Sequence, residues 1–164
     1  MQGVIGLCAA EGYRPYFLGA RPDVVQTAIT NISRRFPELR LAGSHDGYFG
    51  PEQEGDVVAE IRSSRADCLF IGMPTPRKER LLARHRRDFD VPFIMGVGGA
   101  FDVLADQVRR APKPIQAIGL EWLFRAAQEP LRLGPRYLRT NAAFAAVMAR
   151  ALTLKFLNDR GLSV

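Results

Sequence analysis

Short apolar runs that close on glycine, each followed by a stretch of helical periodicity, constrain this chain more than any other feature. Tyr16-Phe17-Leu18 closes on Gly19, Cys68-Leu69-Phe70-Ile71 closes on Gly72, and Phe93-Ile94-Met95 closes on Gly96. Leu39 to Gly43 reads as a further strand. Between them Val24, Val25, Ala28, Ile29, Ile32 and Phe36 recur at helical spacing, as do Val57, Val58 and Ile61. Residues 77–88 form a third helical pattern, with Leu81, Leu82 and His85 on its inward side. Pro22 stands near the start of the first helix, where its missing N–H costs nothing. Repeated strand–helix units of this length predict an α/β fold, a parallel sheet with helices on both faces.

Parallel sheets bind ligands at the carboxyl ends of their strands, so the segments after the strands are the ones to inspect. They are Ser44-His45-Asp46-Gly47-Tyr48-Phe49, Gly72-Met73-Pro74-Thr75-Pro76-Arg77-Lys78-Glu79 and Gly96-Val97-Gly98-Gly99-Ala100-Phe101-Asp102. All three belong on one edge of the sheet. The last is glycine-rich, which lets backbone N–H groups approach a phosphate or a base closely, although it also suits a tight turn. It lacks the G-x-G-x-x-G dinucleotide spacing. Tyr48 is either a stacking surface for a base or a loop anchor. Asp102 is an acceptor for a uracil or ribose, a helix N-cap, or both. Asp46 reads as a turn residue or as a general base at the ligand edge.

Charge is uneven along the chain. Residues 1–102 carry thirteen basic and thirteen acidic side chains, and residues 103–164 carry ten against four, so the whole +6 lies in the tail. A basic tail on a neutral body points to an anionic partner. Arg136, Arg139 and Arg150 fall within about 60° of one another on a helical projection. Phe144, Ala145, Met148, Leu152 and Phe156 lie on a separate face. Such a helix either docks on the domain or lies on an anionic membrane surface; an oligomer would also share its apolar face. A nucleic-acid role is disfavoured, because the basic residues are not interleaved with aromatics on a known module.

Thr140 to Ala149 is too short to span a bilayer. The N-terminus lacks a basic n-region and a cleavage site, which argues against a signal peptide. Cys8 and Cys68 sit in apolar contexts, as small buried side chains in a reducing compartment would. Asp88-Phe89-Asp90 spells the DxD pattern of metal-dependent transferases, but it precedes its strand and reads as a helix end and turn. The two histidines are not spaced as a metal pair, so no metal and no cofactor is expected.

Taken in order, Tyr16-Phe17-Leu18-Gly19, His45 to Phe49, Gly72 to Glu79, Gly96 to Asp102 and Arg110-Ala111-Pro112 resemble the WecG/TagA/CpsF glycosyltransferases. Gly119 to Arg125, Gln128-Glu129-Pro130, Arg132 and Arg136-Tyr137-Leu138 extend the likeness over nearly the whole chain. The resemblance implies a Rossmann-like parallel sheet over residues 1–130 and a helical appendage, lid or membrane contact, over 131–164. It implies a metal-independent, inverting transfer of N-acetylmannosamine or a related sugar from a UDP-sugar to a polyprenyl-diphosphate-linked acceptor. The context would be cell-surface polysaccharide or teichoic acid synthesis at the cytoplasmic face of the membrane.

By similarity Tyr48 would stack on uracil and Asp102 would hydrogen-bond it. Gly72, Pro76, Lys78, Glu79, Gly98 and Gly99 would line the donor site, and Arg125, Arg132 and Arg136 would close over the diphosphate. Lys78 stands where the family usually has Gln, which would alter sugar or phosphate recognition. The family's Thr-Pro-Asp and Gly-x-Asp-Leu motifs, the latter with the candidate general base, have no counterpart in these residues. Asp46 is the substitute base; the alternative is a UDP-sugar binder without catalysis.

Overall fold

In the computed structural model, β1 (Pro15–Gly19) is buried at all five positions and forms the inner spine of a parallel sheet. It pairs on one side with β2 (Gly43–His45) and on the other with β3 (Cys68–Gly72), which pairs in turn with β4 (Phe93–Gly96). The strand order is β2-β1-β3-β4, with all pairs parallel. Described residues are 1–109, 111–128, 130, 134 and 140–151. They belong to two compact units, Met1–Arg109 and Arg110–Val164.

Alternation along β1 sends side chains to opposite faces, and each face has its own core. Tyr16 and Leu18, with Leu69 and Ile71 of β3, pack against Val57, Val58 and Ile61 of α3 (Glu54–Ser63) and Leu81 of α4 (Arg77–His85). Phe17 and Phe70 face the other way. They meet Ile5 and Cys8 of α1 (Gln2–Glu11), Val24, Val25, Ala28 and Ile32 of α2 (Pro22–Arg35), and Phe101 of α5 (Ala100–Leu104). Phe17 stacks on Phe70 at 5.4 Å between ring centroids, and Phe101 tilts against Phe17 at 5.8 Å. Each such ring or aliphatic chain contributes about 1.5–3 kcal/mol by leaving water. Helices on both faces explain why β1 and β3 read as continuous apolar runs.

Two expectations change. The strand foreseen at Leu39–Gly43 begins only at Gly43. Leu39 and Leu41 pack on the α1/α2 side of the core as chain without ladder pairing. The ladder starts where Tyr16 faces Gly43, because the Tyr16 ring occupies the space a side chain would need there: a Cβ on Gly43 would lie 2.7 Å from Cε2. Helix α1 precedes the sheet, where no element was foreseen. Apolar residues surround it, so it shows no one-sided pattern, yet Ile5 and Cys8 are buried and Leu7 is exposed.

Cys8 and Cys68, 60 residues apart, meet at 3.7 Å as buried free thiols. Burial first, then the neighbouring Cys68, pushes the Cys8 thiol up to about 12. Tyr16 sends its hydroxyl to Glu60, donating at 2.5 Å, and burial followed by this bond holds its phenol well above the usual range.

The expected inward His85 is half-buried between two carboxylates, with Nδ1 3.1 Å from Asp88 and Nε2 3.7 Å from Glu54. Glu54 is buried and also pairs with Arg84 at 3.0 Å. Phe89 is a core residue, and Asp88 to Asp90 precede β4 as a turn, as expected for a sequence that only spells a metal motif. Among the described residues no three His, Cys, Asp or Glu side chains gather as metal ligands.

In the second unit, α6 (Lys113–Ala117) and α7 (Glu121–Gln128) are followed by helix at 140–151. No helix among the described residues is long and apolar enough to cross a membrane.

Candidate functional site

The order β2-β1-β3-β4 reverses direction between β1 and β3: the chain moves outward to β2, then returns past β1 to β3 and on to β4. Crossovers part at such a reversal and leave a crevice at the strand ends. Here the crevice floor is backbone. Gly19 has φ 126°, and a Cβ on it would lie 2.6 Å from the Gly72 carbonyl carbon and oxygen. Ala20 donates its N–H to the Gly72 carbonyl at 3.1 Å, and Gly47 donates to the Ala20 carbonyl at 2.8 Å. The ends of β1 and β3 and the loop after β2 are therefore tied together.

The loop after β2 gives two neighbouring aromatics different surroundings. Phe49 is the anchor: it is buried, edge-on to His45 at 5.5 Å, and covered by the Arg77 guanidinium 4.7 Å from its ring centroid. Arg77 also donates to the Phe49 carbonyl. Tyr48, its neighbour, is 71% exposed at the ligand edge. Asp46 accepts the Tyr48 backbone N–H at 2.7 Å, an aspartate turn that fixes the direction of the loop.

After β3, Gly72 leads through Pro74 and the cis Thr75–Pro76 bond into α4, for which Pro76 is the N-cap. Lys78 folds back across the end of β4, so that a Cβ on Gly96 would lie 2.9 Å from Nζ. Its ammonium pairs with Glu79 at 3.2 Å, and Thr75 donates to the same carboxylate oxygen at 3.2 Å. Glu79 is held below the usual carboxylate range, first by its own backbone N–H and also by Lys78 and Thr75.

After β4, Gly98 takes the left-handed region at φ 53°, the conformation that calls for glycine. Gly99 is the N-cap of α5. Asp102 is therefore not the N-cap but the third helical residue, and its carbonyl accepts the N–H groups of Gln107 and Val108 at 2.9 and 3.2 Å.

The structure adds Arg21, which sequence inspection passed over. It follows Gly19-Ala20 at the end of β1 and is the N-cap of α2. Its guanidinium makes two parallel hydrogen bonds to Asp23, at 3.2 and 3.0 Å, and a long one of 3.5 Å to Gln107. These bonds and the Asp23 charge hold Arg21 above the usual arginine range, with smaller contributions from Tyr48 and Asp102, which lie within electrostatic reach of the same cation. The available signal was its position, two residues beyond the end of β1.

Tyr48, Gly72, Pro76, Lys78, Glu79, Gly98, Gly99 and Asp102 all come from strand-end segments of the first unit, as does Asp46. Of the tail residues, Arg125 falls within α7 of the second unit, and Arg132 and Arg136 lie outside the described residues.

These features define a doubly wound α/β domain with a polar, glycine-floored crevice at its strand ends. Residues 1–156 match the glycosyl transferase WecG/TagA/CpsF family. The chain belongs to that family and is a glycosyltransferase by membership, acting between a sugar donor and an acceptor.

Proposed function

We propose that the strand-end crevice binds a UDP-sugar and that the chain carries the donor side of an inverting, metal-independent transfer. N-acetylmannosamine or a related sugar would pass to a polyprenyl-diphosphate-linked acceptor in cell-surface polysaccharide or teichoic acid synthesis. The observation that supports this reading is the exposed ring of Tyr48, in a loop tied to the end of β1 by the Gly47–Ala20 bond; Asp102 of α5 would stand beside it as the acceptor. A flat apolar face beside a hydrogen-bond acceptor suits a pyrimidine base. The Gly96–Gly99 backbone and Lys78 lie along the remaining strand ends, where diphosphate and sugar would follow. Arg125, Arg132 and Arg136 would supply positive charge to the departing UDP, since guanidinium pairs well with phosphate.

The acceptor's lipid fits the tail. The helix at 140–151 leaves Phe144, Val147 and Met148 exposed beside Arg150, a composition suited to the anionic inner surface of a cell membrane. The same apolar face would serve an oligomer.

A second reading has its own support. Asp46, the candidate base, holds the turn by accepting the Tyr48 N–H; a turn role for it would leave a UDP-sugar binder without a dedicated proton acceptor. Incubating the chain with UDP-N-acetylmannosamine and a short polyprenyl-diphosphate-linked acceptor separates the two. Transfer of sugar with release of UDP supports the enzyme. Tight UDP binding without product supports the binder, and absence of UDP binding overturns both.

A further inference from the structure

Arg21 stands where three segments meet. Behind it, the Ala20 carbonyl takes the Gly47 N–H at 2.8 Å, which brings the Tyr48 loop to the end of β1. In front, Arg21 Nη2 lies 3.5 Å from Gln107 Oε1, and the Gln107 N–H is bonded to the Asp102 carbonyl at 2.9 Å. Arg21 thus belongs to the segment that joins the Tyr48 loop, through the Ala20 carbonyl, to the turn after α5, through Gln107. It is also oriented: Asp23 takes Nε and Nη2 in a fork, a geometry that fixes the guanidinium plane and leaves the Nη1 side to donate elsewhere.

We propose that Arg21 and Asp102 together read the edge of the uracil base, Asp102 accepting the ring N3–H and Arg21 donating to a carbonyl oxygen beside it. The inference rests on the donor reading above and adds to it a residue that sets base specificity. Uracil presents acceptor, donor and acceptor along that edge. A cation–carboxylate pair matches two consecutive positions of that pattern, while Tyr48 covers the ring face. Cytosine would turn an N3 lone pair toward the Asp102 carboxylate, leaving both acceptors without a proton between them. Asp23 acts through Arg21 as a positioning residue.

Calorimetric titration of the full chain with UDP, CDP and uridine tests this. Wild type is expected to bind UDP at least about tenfold more tightly than CDP, one well-placed charged hydrogen bond being worth about a factor of ten. Arg21→Ala should lose about tenfold for both UDP and uridine, and Asp23→Ala a smaller factor for both. Arg21 is exposed, so far-ultraviolet circular dichroism and melting should match wild type.

Loss for UDP with uridine unaffected would make Arg21 a phosphate contact and overturn the proposal, as would unchanged affinity for UDP. Failure of the donor reading looks different: wild type would not bind UDP, or Tyr48→Ala and Asp102→Ala would bind it as well as wild type.

Discussion

Gly72 and Phe101 are in direct contact across the base of the crevice: a Cβ on the glycine would fall 2.6 Å from Cδ2 of the ring. The ring belongs to the core shared by α1, α2 and α5, and the glycine ends β3 at the ligand edge. Core packing and crevice geometry therefore meet at one van der Waals contact. Gly72→Ala is expected to destabilise the domain by about 1–3 kcal/mol, because Phe101 cannot retreat without displacing Phe17. Gly55, in α3 with open space around it, is the control: Gly55→Ala should stabilise by about 0.5–1 kcal/mol. Urea unfolding midpoints read both.

Loop chemistry after β2 gives the second prediction. Tyr48→Ala should weaken UDP binding by about 1–3 kcal/mol if the ring stacks on the base. Asp46→Asn should bind UDP as wild type does, since the amide oxygen can accept the same Tyr48 N–H. Asp46→Ala should bind less well, because the turn that presents Tyr48 loses its bond. Equal affinities for the Asn and Ala variants, measured by calorimetry, would show that the turn does not position the ring.

Alkaline pH should unfold the protein in a way that traces to Cys8. Its folded-state value is raised from 9.0 to about 12, mainly by burial. Below 9.0 both folded and unfolded chains hold the proton, and the stability is fully present. Between 9.0 and about 12 the unfolded chain loses the proton while the folded chain keeps it, so stability falls as pH rises. The slope approaches about 1.4 kcal/mol per pH unit for this one group. Tyr16, raised in the same direction, adds to the fall at higher pH. Urea titrations on either side of 9.0 should show a shallower slope for Cys8→Ala; an identical slope would assign the alkaline loss elsewhere.

Membrane contact by the tail is tested by sedimentation with vesicles rich in anionic lipid. Removing residues 136–164 should lower the bound fraction, and added salt should do the same to the full chain, because surface attraction is screened over roughly 10 Å at 0.1 M. Equal sedimentation of the two proteins would exclude the helix at 140–151 as the contact.

Much of the fold was legible because both faces of the sheet are covered at β1 and β3. Continuous apolar runs at Tyr16–Leu18, Cys68–Ile71 and Phe93–Met95 announce parallel strands, and Pro22 marks the start of α2. What escaped had physical reasons. α1 has apolar residues all round, so periodicity could not reveal it. β2 is short and polar, held by pairing to Tyr16–Leu18 of β1 rather than by its own hydrophobicity, so the apolar residues of Leu39–Gly43 carried the strand signal instead.

At the site, the sequence leaves Tyr48 as either a stacking surface or a loop anchor, and the anchor is its neighbour Phe49. Arg77 over the Phe49 ring and His45 at its edge bury Phe49 and leave Tyr48 as the exposed surface. The helix-capping role considered for Asp102 belongs to Gly99. Arg21 gave only a positional signal, two residues past the end of β1, and its meaning comes from the reversal of strand order.

That reversal also shapes how the protein can change over evolutionary time. The crevice is walled by separate crossovers, and the floor is two glycines held together by main-chain bonds. Substitution or insertion in one crossover can retune what is recognised without moving the others. The floor allows no such freedom, so a lineage that keeps Gly19 and Gly72 retains the means to exchange one ligand for another.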